Sequence, residues 1–136
     1  MSKDCYFVYL VQLIEAIFQY NVSHDVAQFI AAQSCLETGF GTSNIYRENH
    51  NLFGMKVPSK RITTCIGNNR GHASYYNEIA SLFDYWLWLV YFNFDSGHLS
   101  DVSKFSKKLA STPFNPNGLY CEKVMSIYNT YSMSNP

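Results

Sequence analysis

The sequence has few charged residues and no surplus of either sign. Only 15% of its 136 residues are charged, and ten basic side chains balance ten acidic ones to a formal net charge of zero. A protein whose main partner is nucleic acid needs a surplus of Lys and Arg to neutralise phosphates, so we expect no nucleic-acid partner. The 47% of apolar residues and the zero net charge also exclude a disordered chain. Length and composition together predict one folded domain over residues 1–136.

A long uninterrupted apolar run is also missing. The most apolar stretch, residues 85–92, is much shorter than the roughly 20 residues that a membrane-spanning helix needs. We interpret it as part of a buried central helix. Gln12 and Glu15 interrupt the apolar residues 6–18, and no small-residue cleavage site follows them. We therefore predict no integral membrane segment and no signal peptide, so that action outside the cytoplasm would depend on another export route or on lysis.

The cysteines and histidines lack the spacing of metal sites or redox motifs. No Cys-x-x-Cys pair occurs, and the histidines are scattered. The four cysteines are Cys5, Cys35, Cys65 and Cys121. We expect them to be free thiols that are mostly buried. We predict no metal and no cofactor.

The pattern of apolar residues favours helices, with one small β-hairpin. Helical spacing predicts five helices at residues 3–20, 23–39, 79–94, 100–110 and 119–131. Residues 40–54 read as a loop with at most one short helical turn. The β-rich residues 62–66, a turn at 67–71 and residues 73–76 predict the hairpin. The predicted fold class is therefore α+β, mostly α.

Glu37 is the acidic residue whose position suggests chemistry. It continues the inward stripe of Ile30 and Gln33 at spacings of three and four residues, and Gly39 ends its helix. Burial and the carbonyl end of a helix both raise the pKa of a carboxyl group. A carboxylic acid that stays protonated can donate its proton to a leaving group. From these residues alone, a Glu that reaches solvent or pairs with an arginine remains an equal alternative.

Four segments carry motifs in a fixed order. They are residues 37–43 (Glu-Thr-Gly-Phe-Gly-Thr-Ser), residues 49–56 (Asn-His-Asn-Leu-Phe-Gly-Met-Lys), residues 75–85 and residues 120–124. In order and spacing they resemble the motifs of bacterial peptidoglycan N-acetylglucosaminidases, glycoside hydrolase family 73, the mannosyl-glycoprotein endo-β-N-acetylglucosaminidase-like domains. Thr38 stands where that family usually has Ser. The resemblance covers about residues 20–130.

The resemblance implies a lysozyme-like helical domain with a cleft between a helical lobe and a hairpin lobe. It also implies hydrolysis of the β-1,4 bond after N-acetylglucosamine in peptidoglycan strands, at the cell wall or in the periplasm. Glu37 matches the catalytic general acid, and Tyr75 matches a tyrosine that faces the cleft and assists catalysis. Phe40, Asn51 and Phe53 match positions expected to bind substrate. An immunity or secretion-machine partner is left open.

One departure from the family keeps the mechanism open. Many glycosidases pair the acid with a second carboxylate, but residues 49–77 contain no Asp or Glu and are instead basic, with Lys56, Lys60, Arg61 and Arg70. Attack by the substrate's own acetamido group would let Glu37 act alone, with Tyr75 stabilising the developing charge. The alternatives are a muramidase or lytic transglycosylase that uses a single Glu, and a catalytically inactive module that binds peptidoglycan.

Overall fold

The computed structural model describes residues 1–115 and 118–133, which form six α-helices and one two-stranded antiparallel sheet. The helices are α1 Lys3–Phe18, α2 His24–Thr38, α3 Asn44–Asn49, α4 Glu78–Tyr91, α5 Val102–Ala110 and α6 Tyr120–Met133. The strands are β1 Gly67–Asn69 and β2 His72–Ser74. The prediction of an α+β fold that is mostly α is confirmed. The short turn expected in residues 40–54 is α3.

Helix α2 is the central helix of the molecule. The Ser23 side chain accepts a hydrogen bond from the Val26 amide at 3.1 Å, and Gly39 ends the helix in the left-handed conformation. Every residue from 26 to 35 is buried, because α1 and α6 pack against α2 and α5 adds a further contact. The small side chains of Ala27, Ala31 and Ala32 let these neighbours approach closely.

The prediction that the aromatic helix is the buried central one is wrong. Helix α4 buries Tyr85, Trp88 and Leu89 on one face, but Phe83 is 47% exposed and Val90 is 55% exposed on the other. An apolar sequence with helical periodicity does not show how many neighbours a helix has. Here α4 lies at the outside of the molecule, and α2 takes the centre.

The first strand of the hairpin lies further along the chain than the sequence predicted, whereas the second lies close to its predicted position. β1 and β2 pair Gly67 with Ser74 and Asn69 with His72, so most of the predicted turn is strand. Arg70 and Gly71 form the two-residue connection, and both have positive φ, as tight hairpin loops require. In the predicted strand 62–66, the Thr64 hydroxyl instead donates to the Ala80 carbonyl of α4 at 2.5 Å, and only the Ile66 amide donates to β2, at the Ser74 carbonyl.

The loop that follows α3 is held between two helices. The Ser34 hydroxyl of α2 donates to the Leu52 carbonyl at 2.7 Å, and the Leu52 amide donates to the Ser81 hydroxyl of α4 at 3.0 Å. All three residues are buried. Since both polar groups of the Leu52 backbone are satisfied, this loop can pack in the interior next to the C-terminal end of α2.

All four cysteines are free, as expected, but only Cys35 is buried. Cys5 is exposed, and Cys65 and Cys121 are partly buried, so the expectation of mostly buried thiols is wrong. Across residues 1–115 and 118–133, no helix has both the length and the apolar character needed to cross a bilayer. In the same residues no group of three or more His, Cys, Asp or Glu side chains is arranged to hold a metal ion.

Candidate active site

Glu37 lies in the last turn of α2, where two cavities meet. It lines a cleft of about 650 Å³ and also a smaller cavity of about 190 Å³ that Leu36, Tyr120 and Lys123 border. The volume of the larger cleft is typical of a small-ligand site. Glu37 is thus the acidic side chain that both cavities share.

The backbone of the loop after α3 approaches the Glu37 carboxylate closely. Gly54 has φ +66°, and a Cβ atom at that position would lie 2.8 Å from Oε2 of Glu37. Only glycine adopts this conformation at little cost and also leaves room for the carboxylate. The Gly54 position therefore fixes one side of the Glu37 side chain.

Burial raises the pKa of the Glu37 carboxyl. Two neighbours oppose that effect: the Tyr120 hydroxyl beside the carboxylate, and the charge of His72 on β2. Removal from water disfavours the charged form, and here it outweighs both neighbours. The raised pKa predicted from the helical stripe thus has desolvation as its main cause. A carboxyl group in this state can keep its proton until a leaving group takes it.

A network of buried side chains lies next to Glu37. Phe53 stacks on Tyr85 with ring centroids 4.0 Å apart, and the Tyr85 hydroxyl donates to Oε1 of Gln33 at 2.7 Å. Nε2 of Gln33 and the hydroxyl of Tyr120 are buried without a hydrogen bond of normal geometry to any described residue. Buried polar groups rarely lack a hydrogen-bond partner. Both belong to side chains close to Glu37, so they are candidates to bind a water or a substrate hydroxyl.

The cleft has two chemically different walls. One carries aromatic side chains from α4, from the residue that follows it and from the segment after α5, namely Trp88, Tyr91, Phe92 and Phe114. The other is the segment 56–61, with Lys56, Lys60 and Arg61. Aromatic faces pack well against flat, partly apolar ligands, and ammonium groups attract anions. The cleft is therefore suited to a ligand with both features.

Tyr75 does not line this cleft. Its side chain is 2% exposed, and its hydroxyl donates a short hydrogen bond to Asp84. Burial and the Asp84 carboxylate both raise the pKa of Tyr75. The structure therefore does not bring Tyr75 and Glu37 together at one surface, because the tyrosine hydroxyl is already taken by a buried acid.

The three expected substrate-binding residues have different positions. Phe53 lines the cleft beside Glu37, but its ring is almost fully buried. The Asn51 amide donates to the carbonyls of Met55 and Ala73 at 2.9 and 2.8 Å, and its oxygen accepts from the amides of Phe53 and Met55. Asn51 therefore shapes the loop and has no capacity left for a sugar. Phe40 packs against Tyr131 with the Lys3 ammonium 5.1 Å from its ring centroid, and it does not line the cleft.

Sequence reasoning missed several residues of the site. Trp88 and Phe92 were assigned to the core of a buried helix, and no role was given to His72 or Tyr120. Periodicity places these residues on elements, but the contact with Glu37 depends on how α4, α6 and the hairpin pack around α2.

The chain matches the family model described as Glucosaminidase, mannosyl-glycoprotein endo-β-N-acetylglucosaminidase, over residues 12–133. A curated relative, Protein bax of Escherichia coli (strain K12), is 39% identical over 46 residues, which are 34% of this chain and 17% of the relative. The chain thus matches only about a sixth of the length of that relative.

A solved structure shares the fold at low sequence identity. It is a chain of a type VI secretion system effector–immunity complex from Pseudomonas protegens, with a TM-score of 0.68 and 15% identity. The similarity covers 97% of this chain and 95% of the other. The expected lysozyme-like arrangement of helices around a small hairpin is confirmed.

Proposed function

Because the chain belongs to the mannosyl-glycoprotein endo-β-N-acetylglucosaminidase family, we propose that it is a peptidoglycan hydrolase. The bond cut is the β-1,4 linkage after N-acetylglucosamine in bacterial cell-wall glycan, with Glu37 as the general acid. One observation carries the proposal: a carboxyl group with a raised pKa stands in a cleft between aromatic and basic walls. Aromatic faces suit sugar rings, and the protonated acid suits cleavage of a glycosidic bond.

The mechanism that fits these residues uses the substrate as nucleophile. Glu37 gives its proton to the glycosidic oxygen as the C–O bond breaks, while the oxygen of the 2-acetamido group bonds to the anomeric carbon. Glu37, now a carboxylate, then takes a proton from the water that opens the resulting oxazolinium ring. Among the described residues that line the cleft, Glu37 is the only acid. Two-carboxylate glycosidases instead place a second acid about 5 to 10 Å from the first.

The other expected site residues take supporting roles in this proposal. Tyr75 acts as a positioning residue, since its hydroxyl binds Asp84, and Asp84 binds Arg61 in the cleft wall. Asn51 sets the course of the loop that brings Phe53 and Gly54 to Glu37. Phe53 provides the floor of the cleft, and Phe40 packs outside it.

The experiment that tests the proposal is digestion of purified sacculi by wild type and by Glu37→Gln. We expect wild type to release fragments with reducing N-acetylglucosamine ends, identified by mass spectrometry, and Glu37→Gln to release none. Glu15→Gln on α1, which removes an exposed carboxylate paired with His24, is the matched control and should retain activity. Reducing muramic ends would indicate a muramidase, and anhydro-muramic ends a lytic transglycosylase. Binding to sacculi without release by wild type would indicate an inactive binding module.

The proposed site of action is the cell wall or the periplasm. The structural neighbour comes from an effector–immunity complex, and this supports the further proposal that an immunity protein binds this chain. Expression of the chain with a periplasmic export signal tests the proposed site of action. Lysis by wild type but not by Glu37→Gln is expected, whereas unchanged growth with both would contradict it.

A further inference from the structure

The basic wall of the cleft contains two cations that have no partner among the residues that the structure describes. Lys56, Lys60 and Arg61 all line the cleft. Among the described residues, neither lysine ammonium makes an ion pair or a hydrogen bond with a protein group. Both lysines are exposed, so their charges are available to whatever enters the cleft.

Arg61 differs from the two lysines because its charge is already compensated. Its guanidinium donates to Asp84 at 2.6 and 3.3 Å, with side-chain exposures of 7% and 0% for the pair. Thr63 and Tyr75 also donate to the Asp84 carboxylate. This buried cluster anchors the end of segment 56–61 to α4. The backbone next to Lys60 is therefore held at α4 by a tertiary contact.

The charge of the cleft is a local property. The whole chain has a formal net charge of zero, yet the described cleft lining holds three basic residues and one acid, Glu37. With Arg61 compensated by Asp84, the two lysine charges outnumber the single acid of the cleft lining. A neutral polysaccharide gains nothing from such charges, whereas a glycan with carboxylates does.

We propose that Lys56 and Lys60 form an anion subsite that binds the carboxylates of muramyl units while the aromatic wall packs against the sugar rings. This inference rests on the proposed function and specifies its substrate class: acidic glycan in preference to a neutral N-acetylglucosamine polymer. The carboxylates come from the peptide stem, or from the lactyl group once the stem has been removed. Either source presents the same chemistry to the ammonium groups.

The test measures binding, so that it does not depend on catalysis. Isothermal titration with Glu37→Gln protein compares three soluble ligands: peptide-bearing glycan strands, strands stripped of stems by an amidase, and an N-acetylglucosamine oligomer. The variant adds Lys56→Gln and Lys60→Gln to the same background. Its matched control adds Lys104→Gln and Lys107→Gln, two exposed lysines of α5 outside the cleft.

We expect the Lys56→Gln/Lys60→Gln protein to bind acidic strands roughly three- to tenfold more weakly, a size typical of two exposed charge pairs. Salt near 1 M, where the Debye length is about 3 Å, should remove the difference. The control pair should bind as the parent does. A loss of affinity for peptide-bearing strands alone identifies the peptide stem as the source of the bound carboxylate. A loss of affinity for stripped strands identifies the lactyl group as that source. Lys56→Arg/Lys60→Arg, which keeps the charges, should retain binding, and unchanged binding of the neutral oligomer by the Lys56→Gln/Lys60→Gln protein excludes misfolding as the cause.

Equal affinity of parent and variant for both acidic strands would overturn the proposal. An equal loss for the neutral oligomer would overturn it too, since the lysines would then act by packing alone. A wild type that cuts no glycan refutes the proposed function but leaves this binding result to be judged separately.

Discussion

The substitution Gly54→Ala tests whether the loop after α3 positions the Glu37 carboxyl group. The added Cβ would lie 2.8 Å from Oε2 of Glu37, and ordinary van der Waals contact begins at 3.4 Å. The carboxylate or the loop must therefore move by about 0.6 Å. A misplacement of about 1 Å at a catalytic group can reduce the rate by about a hundredfold. We expect kcat on soluble glycan strands to fall by roughly ten- to a hundredfold.

The control for this substitution is Gly71→Ala in the hairpin turn. Gly71 has φ +76°, close to the +66° of Gly54, but no atom lies within 4 Å of an added Cβ. Both variants thus introduce a similar backbone strain, which costs roughly 1–2 kcal/mol for a residue with a side chain. Only Gly54→Ala also displaces Glu37. Urea denaturation measures the shared loss of stability, and glycan release measures the loss of activity.

The two variants should lose similar stability but differ in activity by at least about tenfold. Equal activity of both variants would refute the reasoning, because the contact with Glu37 would then have no consequence for catalysis. A large loss of activity in Gly71→Ala alone would do the same, since it would place the critical group in the hairpin turn.

Three further predictions concern the neighbours of Glu37 and the anchor of the basic wall. In His72→Gln, loss of a positive charge that lowers the pKa of Glu37 should move the alkaline limb of the kcat profile to higher pH, whereas His50→Gln leaves it in place. Activity falls as pH rises through the pKa of a general acid, so a shift to lower pH would contradict the assignment. Tyr120→Phe should move the same limb upward, because the Tyr120 hydroxyl beside the carboxylate also lowers the pKa of Glu37; a limb that stays in place would contradict this role. Arg61→Gln should cost roughly 3–5 kcal/mol in urea denaturation because it leaves the buried Asp84 carboxylate unpaired, whereas Arg70→Gln, which removes only the exposed pair with Glu48, should leave stability nearly unchanged.

The hairpin and α4 show where sequence patterns fail. Residues 62–66 have β-branched side chains typical of a strand, yet Thr63 and Thr64 bind Asp84 and the Ala80 carbonyl of α4. The pairing begins at Gly67, where propensity is weak. Strand propensity reflects packing on neighbours more than a backbone preference, so the helix beside the segment decided its conformation.

The sequence was sufficient for the ends of α2 and for the position of Glu37 in it. Ser23 and Gly39 set the ends of α2, and helical spacing placed Glu37 in its last turn with a raised pKa. These features depend on local hydrogen bonds and on periodicity, which residues close in sequence determine. The family motifs added the fold and the family.

Only the tertiary structure decided what surrounds Glu37. Gly54, His72 and Tyr120 come from three elements distant in sequence, and their packing around α2 brings them to one carboxylate. The same packing turned Tyr75 away from the cleft, toward Asp84. The structure also shows where some of the few charged residues of the sequence lie. Asp84 compensates Arg61. The zero net charge of the whole chain therefore conceals two lysines on one wall of the cleft that have no ion-pair partner within residues 1–115 and 118–133.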